Sequence, residues 1–129
     1  LHDGSRLKAR VAKLDRQRDV ALLELDSPAA VEPLRIAAEM PRLGEALYFG
    51  GRADRQGTNQ VFAVVRIGQC PSLPQVSDAI FTNLRAKPGD SGAPMVNKRL
   101  EVVALVHGGA NCNIAAPVVG LGPILGFAG

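Results

Sequence analysis

The stretch Pro88-Gly89-Asp90-Ser91-Gly92-Ala93-Pro94 contains the residue types that can present a serine as a nucleophile. A serine hydroxyl is a weak nucleophile, so its chemistry needs a tight turn that exposes the side chain and aims backbone N–H groups at the developing oxyanion. Gly89 and Gly92 permit such a turn. A lone Gly-Asp-Ser-Gly can equally form an ordinary surface loop. The surrounding sequence therefore has to decide between the two interpretations.

Two segments of strand length lie on either side of this stretch. Upstream, Asp19 is followed at once by the apolar run Val20–Leu25, which predicts a buried strand. Downstream, the mostly apolar segment Glu101–His107 ends in Gly108 and Gly109, which leave room for a substrate backbone. An acid, a serine turn and a glycine-terminated strand thus follow one another along the chain.

These motifs, in this order, resemble those of the trypsin-like serine proteases. The segment Ile80–Gly92 is similar without a gap to HtrA-type bacterial proteases, and Ser91–Gly109 is similar in spacing to bacterial glutamyl endopeptidases. The resemblance implies an all-β, trypsin-like double β-barrel that hydrolyses polypeptide substrates through an acyl-enzyme, without a cofactor. It implies Ser91 as the nucleophile, Asp19 as the orienting acid, and the amides of Gly89 and Ser91 as the oxyanion hole.

The general base is the missing part of this pattern. The resemblance implies a catalytic histidine some tens of residues before the aspartate, in the first barrel, whereas only eighteen residues precede Asp19. His2 lies beside the hairpin-turn signal Asp3-Gly4 and is interpreted as a solvated turn residue. We therefore expect the base on an N-terminal segment of the same protease that is missing from this chain. The competing hypothesis is a catalytically inactive module of the same fold, used in peptide binding or as a scaffold.

His107 is the second histidine of the chain and has three possible roles. In the enzymes that the chain resembles, its position often carries a serine that hydrogen-bonds the catalytic aspartate, so a contact with Asp19 is one expectation. A partly exposed histidine on a cleft strand and a substitute general base are the others. Its neighbour Val106 stands where glutamyl endopeptidases carry the histidine that recognises the substrate carboxylate. Because adjacent strand residues face opposite sides, His107 does not simply inherit that role.

In many of the enzymes that the chain resembles, the residue six positions before the nucleophile forms the floor of the specificity pocket, and here that residue is Arg85. A cationic pocket floor there would favour acidic side chains by charge pairing. Specificity for small-to-medium aliphatic side chains is the alternative. The candidate substrate-binding residues are Arg85, His107, Gly108 and Gly109.

The chain is predicted to divide into unequal parts. Residues 1–26 would be the C-terminal hairpin of the first barrel, residues 27–33 an interbarrel linker, and residues 34–129 a complete second, six-stranded barrel with the C-terminal segment. Because the other strands of the first barrel are missing, an unclosed edge or an exposed apolar face is expected. The strands predicted after the linker are Leu34–Ala37, Ala46–Phe49, Gln60–Ile67, Ala79–Thr82, Pro94–Asn97, Val102–His107 and Ile114–Val118.

Charge and composition narrow the class of partner. The net charge is only +3, and the six cations between Arg6 and Arg18 have no interleaved aromatic residues. They favour a solvated strand face over a nucleic-acid site. No metal-ligand spacing occurs. The uncharged tail over residues 111–129 contains prolines and glycines that favour core over a membrane span.

Cys70 and Cys112 allow either one bridge or two free buried thiols. A bridge would indicate an oxidising compartment. The family resemblance favours a secreted or periplasmic protein, while the residues themselves leave cytoplasmic and viral settings open.

Overall fold

The structure is a computed structural model that describes residues 1, 3–49, 60–107, 112 and 114–121. Eight strands form within these residues: β1 (Ala9–Asp15), β2 (Val20–Leu25), β3 (Ala46–Phe49), β4 (Gln60–Gly68), β5 (Ala79–Thr82), β6 (Pro94–Val96), β7 (Val102–His107) and β8 (Ile114–Pro117). β1 and β2 form a separate hairpin, and the other six close into a barrel in the order β3-β4-β5-β8-β7-β6. The predicted all-β fold with a six-stranded barrel is confirmed.

The barrel closes around apolar side chains contributed by all six of its strands. On β3, Leu47 and Phe49 are buried while Tyr48 between them is half-buried, which is the period of two expected for a strand. Burying one such side chain contributes about 1.5–3 kcal/mol. The main core consists of Ala37, Leu47, Phe49, Val64, Ile80, Leu84, Met95, Val103, Ala104, Val106 and Ala115.

The hairpin β1–β2 has one face that is apolar and exposed. Residues directly opposite each other in an antiparallel pair lie on the same face, and three such pairs on this hairpin are wholly apolar. The four large side chains among them are between 43% and 60% exposed. We call these six residues the apolar outer face: Ala9, Val11, Leu14, Ala21, Leu23 and Leu25.

A β-bulge keeps a charge off this face. Strict alternation from Ala9 and Val11 would place Lys13 on it. The register instead shifts between Val11 and Lys13, so that Ala12 is the extra residue and Lys13 pairs with Leu22 on the opposite side. The next residue, Leu14, then completes the apolar outer face.

The opposite face of the hairpin attaches to the barrel. Val20 is buried in a small cluster with Val118 and Leu121, and Leu22 packs against that cluster. The predicted strand over Val20–Leu25 forms with its predicted bounds. The prediction that this strand is buried is wrong, because only the side of β2 that faces this cluster is covered within the described structure. Residues 1–26 do contain a hairpin, formed by β1 and β2. The assignment of this hairpin to a first barrel, and of residues 27–33 to a linker, remains a prediction.

One predicted strand of the barrel is missing from the structure. The segment Leu34–Ala37 makes a single parallel bridge, between Ile36 and Val102. The Ala37 N–H donates to the Val102 carbonyl, and the Val102 N–H donates to the Arg35 carbonyl. The pairing ends there because the Val103 carbonyl next along β7 accepts the Val118 N–H, and β8 pairs with the rest of that edge.

The turn after β6 starts one residue earlier than predicted. The Asn97 side-chain oxygen accepts the N–H groups of Arg99 and Glu101, at 2.9 and 3.0 Å, and so ends the strand at Val96. Leu100 lies in this turn with a φ of 60°. A left-handed backbone is unfavourable for a residue with a Cβ.

Replacing Leu100 with glycine should stabilise the protein. The left-handed conformation costs leucine roughly 1–2 kcal/mol, and glycine gives back about half of that gain through its greater freedom when unfolded. We expect the free energy of unfolding in urea to rise by about 0.5–1 kcal/mol. Leu43→Gly is the matched control, since Leu43 is also well exposed but has no positive φ, and it should lower stability. Equal effects of the two variants would contradict the explanation.

The two cysteines form a disulfide bridge, Cys70–Cys112, which resolves the alternatives left open by the sequence. Cys70 is buried in a second core cluster with Leu73, Val76 and Ala79, against which Cys112 packs. The bridge therefore ties the loop after β4 to the segment just before β8.

Removing the bridge should destabilise the protein substantially. It closes a loop with a sequence separation of 42, for which the loop-entropy relation gives about 4 kcal/mol. The double variant Cys70→Ala/Cys112→Ala should lose up to this amount in urea denaturation. Wild-type protein in a reducing agent should lose a similar amount of stability, because reduction of the disulfide opens the same loop. A loss below about 1 kcal/mol in both would show that the bridge does not constrain the unfolded chain as the relation assumes.

Candidate active site

The segment before Ser91 forms a tight turn over Lys87–Asp90. The Asp90 N–H donates to the Lys87 carbonyl at 2.9 Å, and Gly89 has a φ of 95°. Proline at the second position and a positive φ at the third are typical of a type II turn, which explains why Pro88 and Gly89 occupy these positions.

Asp90 holds this turn from the inside. Its side chain is completely buried, and its Oδ2 accepts the Lys87 N–H at 2.8 Å. A buried carboxylate bonded to the backbone fixes the geometry of the loop immediately before the candidate nucleophile. No role is predicted for Asp90 from the sequence, although its place between two turn glycines was an available signal.

The segment after Ser91 is bonded to β7. Gly92 has a φ of 87°, and its N–H donates to the Val106 carbonyl at 2.7 Å. A Cβ at Gly92 would meet nothing within 4 Å, so the backbone conformation rather than space calls for glycine there. The Val106 N–H in turn donates to the Ala93 carbonyl at 2.9 Å. Ser91 is therefore an exposed residue held beside the end of β7.

Asp19 is the last residue of the turn that joins β1 to β2. The Asp15 side-chain oxygen Oδ1 accepts the N–H groups of Gln17 and Arg18, at 3.1 and 3.0 Å, and so builds this turn. Asp19 itself has a φ of 55°, in the left-handed region. Residues held in such conformations are concentrated at functional sites. Asp15 was not singled out in the sequence, although an aspartate that opens a turn is a recognised signal.

The Asp19 side chain contacts His107 on the barrel. The His107 Nε2 lies 2.8 Å from Asp19 Oδ2, within hydrogen-bond distance. The imidazole is 23% exposed and the carboxylate 54% exposed. Of the roles considered for His107, the structure shows the contact with the aspartate, and its contact with substrate stays a prediction.

Asp19 and the Ser91 loop therefore both lie at the same end of β7. His107 contacts Asp19, and the preceding residue, Val106, is hydrogen-bonded to Gly92 and Ala93. Seventy-two positions separate the aspartate and the serine in the sequence. The barrel and the hairpin together bring them to this end of β7.

The remaining candidate residues are placed only in part. Arg85 is exposed and follows the buried Leu84, and its contribution to a specificity pocket stays a prediction. His2, Gly108 and Gly109 lie outside the described residues. Two cavities in the described structure, of about 310 and 200 Å³, are lined by other residues, and neither includes Ser91 or Arg85.

The described residues contain no group of three or more His, Cys, Asp or Glu side chains placed to hold a metal ion. None of the helices found there is long and apolar enough to cross a membrane.

Comparison with protein families gives one match over most of the chain. Residues 1–105 match the model of the trypsin-like peptidase domain. HhoB of Synechocystis sp., whose name assigns it provisionally to the serine proteases, is 31% identical over 129 residues. That alignment covers 95% of this chain and 29% of HhoB, so the chain spans less than a third of this relative.

Solved structures of two proteins share the fold. The crystal structure of Deg5 superimposes with a TM-score of 0.68 at 21% identity, covering 87% of this chain and 56% of Deg5. A serine-to-alanine mutant of Rv3671c from M. tuberculosis H37Rv, in its inactive form, gives a TM-score of 0.64 at 21% identity. This superposition covers 95% of this chain and 66% of the Rv3671c chain. The predicted trypsin-like fold is confirmed.

Proposed function

Because this chain belongs to the trypsin-like peptidase domain family, we propose that it is the serine- and aspartate-bearing part of a serine endopeptidase. The observation that carries the proposal is that Asp19 and the Ser91 loop are bonded to adjacent residues, His107 and Val106, at the end of β7. Ser91 is the nucleophile and Asp19 is the acid that orients the base. The base is a histidine of the first barrel, on a segment that precedes this chain in the complete protease.

The reaction follows the acyl-enzyme route. Ser91 Oγ attacks the carbonyl carbon of the scissile peptide while its proton passes to the base histidine. The tetrahedral intermediate collapses by breaking the carbon–nitrogen bond, and the leaving amine takes that proton. Water then attacks the Ser91 ester and gives a proton to the same histidine. The bond between the acyl carbon and Ser91 Oγ breaks, the second product leaves, and the histidine returns the proton to Oγ. Asp19 stabilises the imidazolium that forms in both steps.

The oxyanion hole consists of the Gly89 and Ser91 amides. Support comes from the type II turn, in which only a residue tolerant of positive φ can occupy the Gly89 position. The buried Asp90 side chain and the bond from Gly92 to Val106 hold the two sides of the loop. Donors fixed before the reaction stabilise the developing charge without reorganisation.

The missing first-barrel strands pack on the apolar outer face of the hairpin. This face presents Val11, Leu14, Leu23 and Leu25 to solvent at 43–60% exposure. The match covers only 56% of the length of Deg5. This structural relative therefore contains further chain outside the aligned part. Packing there would bring the base histidine next to Asp19, because the same hairpin carries both the face and the aspartate.

The substrate is a polypeptide that binds along the end of β7. Arg85 would favour an acidic side chain, and the aliphatic alternative stays open until cleavage sites are mapped. The disulfide Cys70–Cys112 supports a secreted or periplasmic location, since such bridges persist in oxidising compartments.

Active-site labelling with a fluorophosphonate tests the proposed function. The isolated chain is compared with the same chain extended through the first barrel by the preceding codons of its own gene. The extended protein should label at Ser91 and cleave peptides, and the isolated chain should do neither at a comparable rate. Equal labelling of the two would place the base inside this chain, at His107 or His2. An extended protein that carries a first-barrel histidine but stays inert would favour the non-catalytic module.

A further inference from the structure

The larger of the two cavities lies on the outside of the barrel. Tyr48 on β3 is directly opposite Val96 on β6, so the two side chains share one face of the sheet. Phe49 and Met95, their neighbours along each strand, are buried in the core, which places Tyr48 and Val96 on the outer face. We call this cavity of about 310 Å³ the outer barrel pocket, and its walls are formed mainly by Leu34, Tyr48, Pro94, Val96, Lys98 and Leu100.

Leu100 is an unexpected residue in the wall of this pocket. Its φ of 60° is unfavourable for a leucine, and its side chain is 62% exposed. The turn does not need a leucine there, because its bonds are made by the Asn97 side chain and by the Leu100 backbone N–H, which donates to the Asn97 carbonyl. Glycine would keep those bonds without the strain. A strained residue whose side chain lies outside the core indicates a function for that side chain.

Other apolar side chains extend the same surface. Leu34 also lines the pocket and is 51% exposed. Tyr48 is directly opposite both Val96 and the exposed Val61, so these three residues form one row across the outside of the barrel. Exposed apolar surface around a cavity is typical of a binding site. The volume of the pocket is at the small end of the range for ligand sites, which favours one large side chain over a cofactor.

Lys98 supplies the only charge among the described residues that line the pocket. Lys98 is exposed, and its neighbour Arg99 is exposed as well. The nearest acid along the chain, Glu101, accepts a bond from the Asn97 side chain at 2.9 Å. An ammonium group beside apolar walls attracts a carboxylate, and a cationic surface favours an acidic partner. The pocket therefore matches a ligand that combines an apolar group with a negative charge.

We propose that the outer barrel pocket binds a short segment of polypeptide in which one large apolar side chain is followed by acidic residues. The apolar side chain lies between Leu34, Tyr48 and Leu100, and a carboxylate pairs with Lys98. A polypeptide supplies both groups close together, because successive residues of an extended chain are about 3.3 Å apart. This site is independent of the proposed function, since Ser91 does not line the pocket.

Tyrosine fluorescence of the chain tests the binding. Tyr48 is the only tyrosine, and the chain contains no tryptophan, so the signal reports on this pocket alone. The probe is the blocked peptide acetyl-Gly-Phe-Glu-Glu-Gly-amide, which should change the fluorescence saturably. Serine in place of its phenylalanine should weaken binding roughly 10- to 100-fold, because the apolar side chain is lost. Glutamine in place of both glutamates should weaken it about three- to fivefold, the scale of an exposed ion pair.

Variants of the pocket test its two parts separately. Leu100→Gly should weaken binding of the probe at least about tenfold although it stabilises the fold, and Leu43→Gly should leave binding unchanged. Lys98→Glu should weaken binding of the acidic probe about tenfold and strengthen binding of the same peptide with lysines in place of its glutamates. Lys8→Glu makes the same charge change at another exposed position and should do neither. Equal affinity of wild-type protein and either pocket variant would overturn the proposal.

Two other occupants are distinguished by further measurements. Dodecanoate also combines an apolar body with a carboxylate. A saturable response of Tyr48 to dodecanoate, with none to any peptide, would assign the pocket to fatty acids and overturn the proposal. The probe, carrying a fluorescent label, is also tested by anisotropy on the Ser91→Ala variant of the extended protein, which cannot form an acyl-enzyme with it. Binding to the isolated chain but not to this protein would show that the preceding segment covers the pocket, and a separate partner would be rejected.

Discussion

Ser91→Ala in the extended protease should lower kcat by about a millionfold, which is the scale seen when the nucleophile of a catalytic serine triad is removed. Alanine lacks the oxygen that forms the acyl-enzyme, so the covalent route is closed. The oxyanion donors and the binding cleft remain and can still accelerate direct hydrolysis by roughly 10³- to 10⁴-fold over water. Peptide cleavage rates and fluorophosphonate labelling measure the loss.

Ser27→Ala is the matched control for this variant. Ser27 is also exposed and follows the hairpin, but no part of the mechanism uses it. The control should keep full activity and full labelling. If Ser91→Ala retained even a tenth of the wild-type kcat, another residue would be the nucleophile and the assignment of Ser91 would be wrong.

Asp19→Asn should lower kcat by about 10⁴-fold in the extended protease, with the fold intact. The amide is close to isosteric with the carboxylate, but it carries no charge to stabilise the imidazolium and allows the base histidine the wrong tautomer. Asp26→Asn removes the same charge from an exposed position just after β2 and should leave kcat unchanged. Circular dichroism and urea denaturation confirm that both variants fold.

A second outcome would redirect the assignment of the acid. If Asp19→Asn and Asp26→Asn both lowered kcat by less than about threefold, Asp19 would not orient the base. The contact with His107 would then be a tie between the hairpin and the barrel, without a catalytic consequence.

The barrel strands could be predicted from sequence where local pattern and burial agree. Ala46–Phe49, Ala79–Thr82 and Val102–His107 have their predicted bounds, because each is a short apolar segment between turn residues. The glycines of the nucleophile loop were equally informative. Positive φ at Gly89 and Gly92 is a local requirement that the residue type itself indicates.

The features that could not be predicted depend on distant neighbours. Leu34–Ala37 has strand-like residues, but the other edge positions on β7 are taken by residues 114–118, far along the chain. The contact between Asp19 and His107 joins positions 88 apart. The family resemblance made it one of three expectations for His107, but no periodicity within either segment specifies it. Strict alternation of apolar and polar residues likewise does not predict the β-bulge at Ala12, because a bulge breaks the period of two.

The apolar outer face also determines how this part of the protein would behave without its neighbour. Monomeric proteins rarely leave large contiguous apolar patches in contact with water. The edge strands of a hairpin also have unpaired N–H and C=O groups, which can pair with a strand of another molecule. Synthesis of the first barrel before this hairpin would shield the face as soon as it forms. Proteolytic loss of the first barrel from a complete protease would expose the apolar outer face to solvent. The remaining fragment would then be prone to aggregate. The same six side chains would therefore make the damaged protein recognisable to quality-control factors that bind exposed apolar surface.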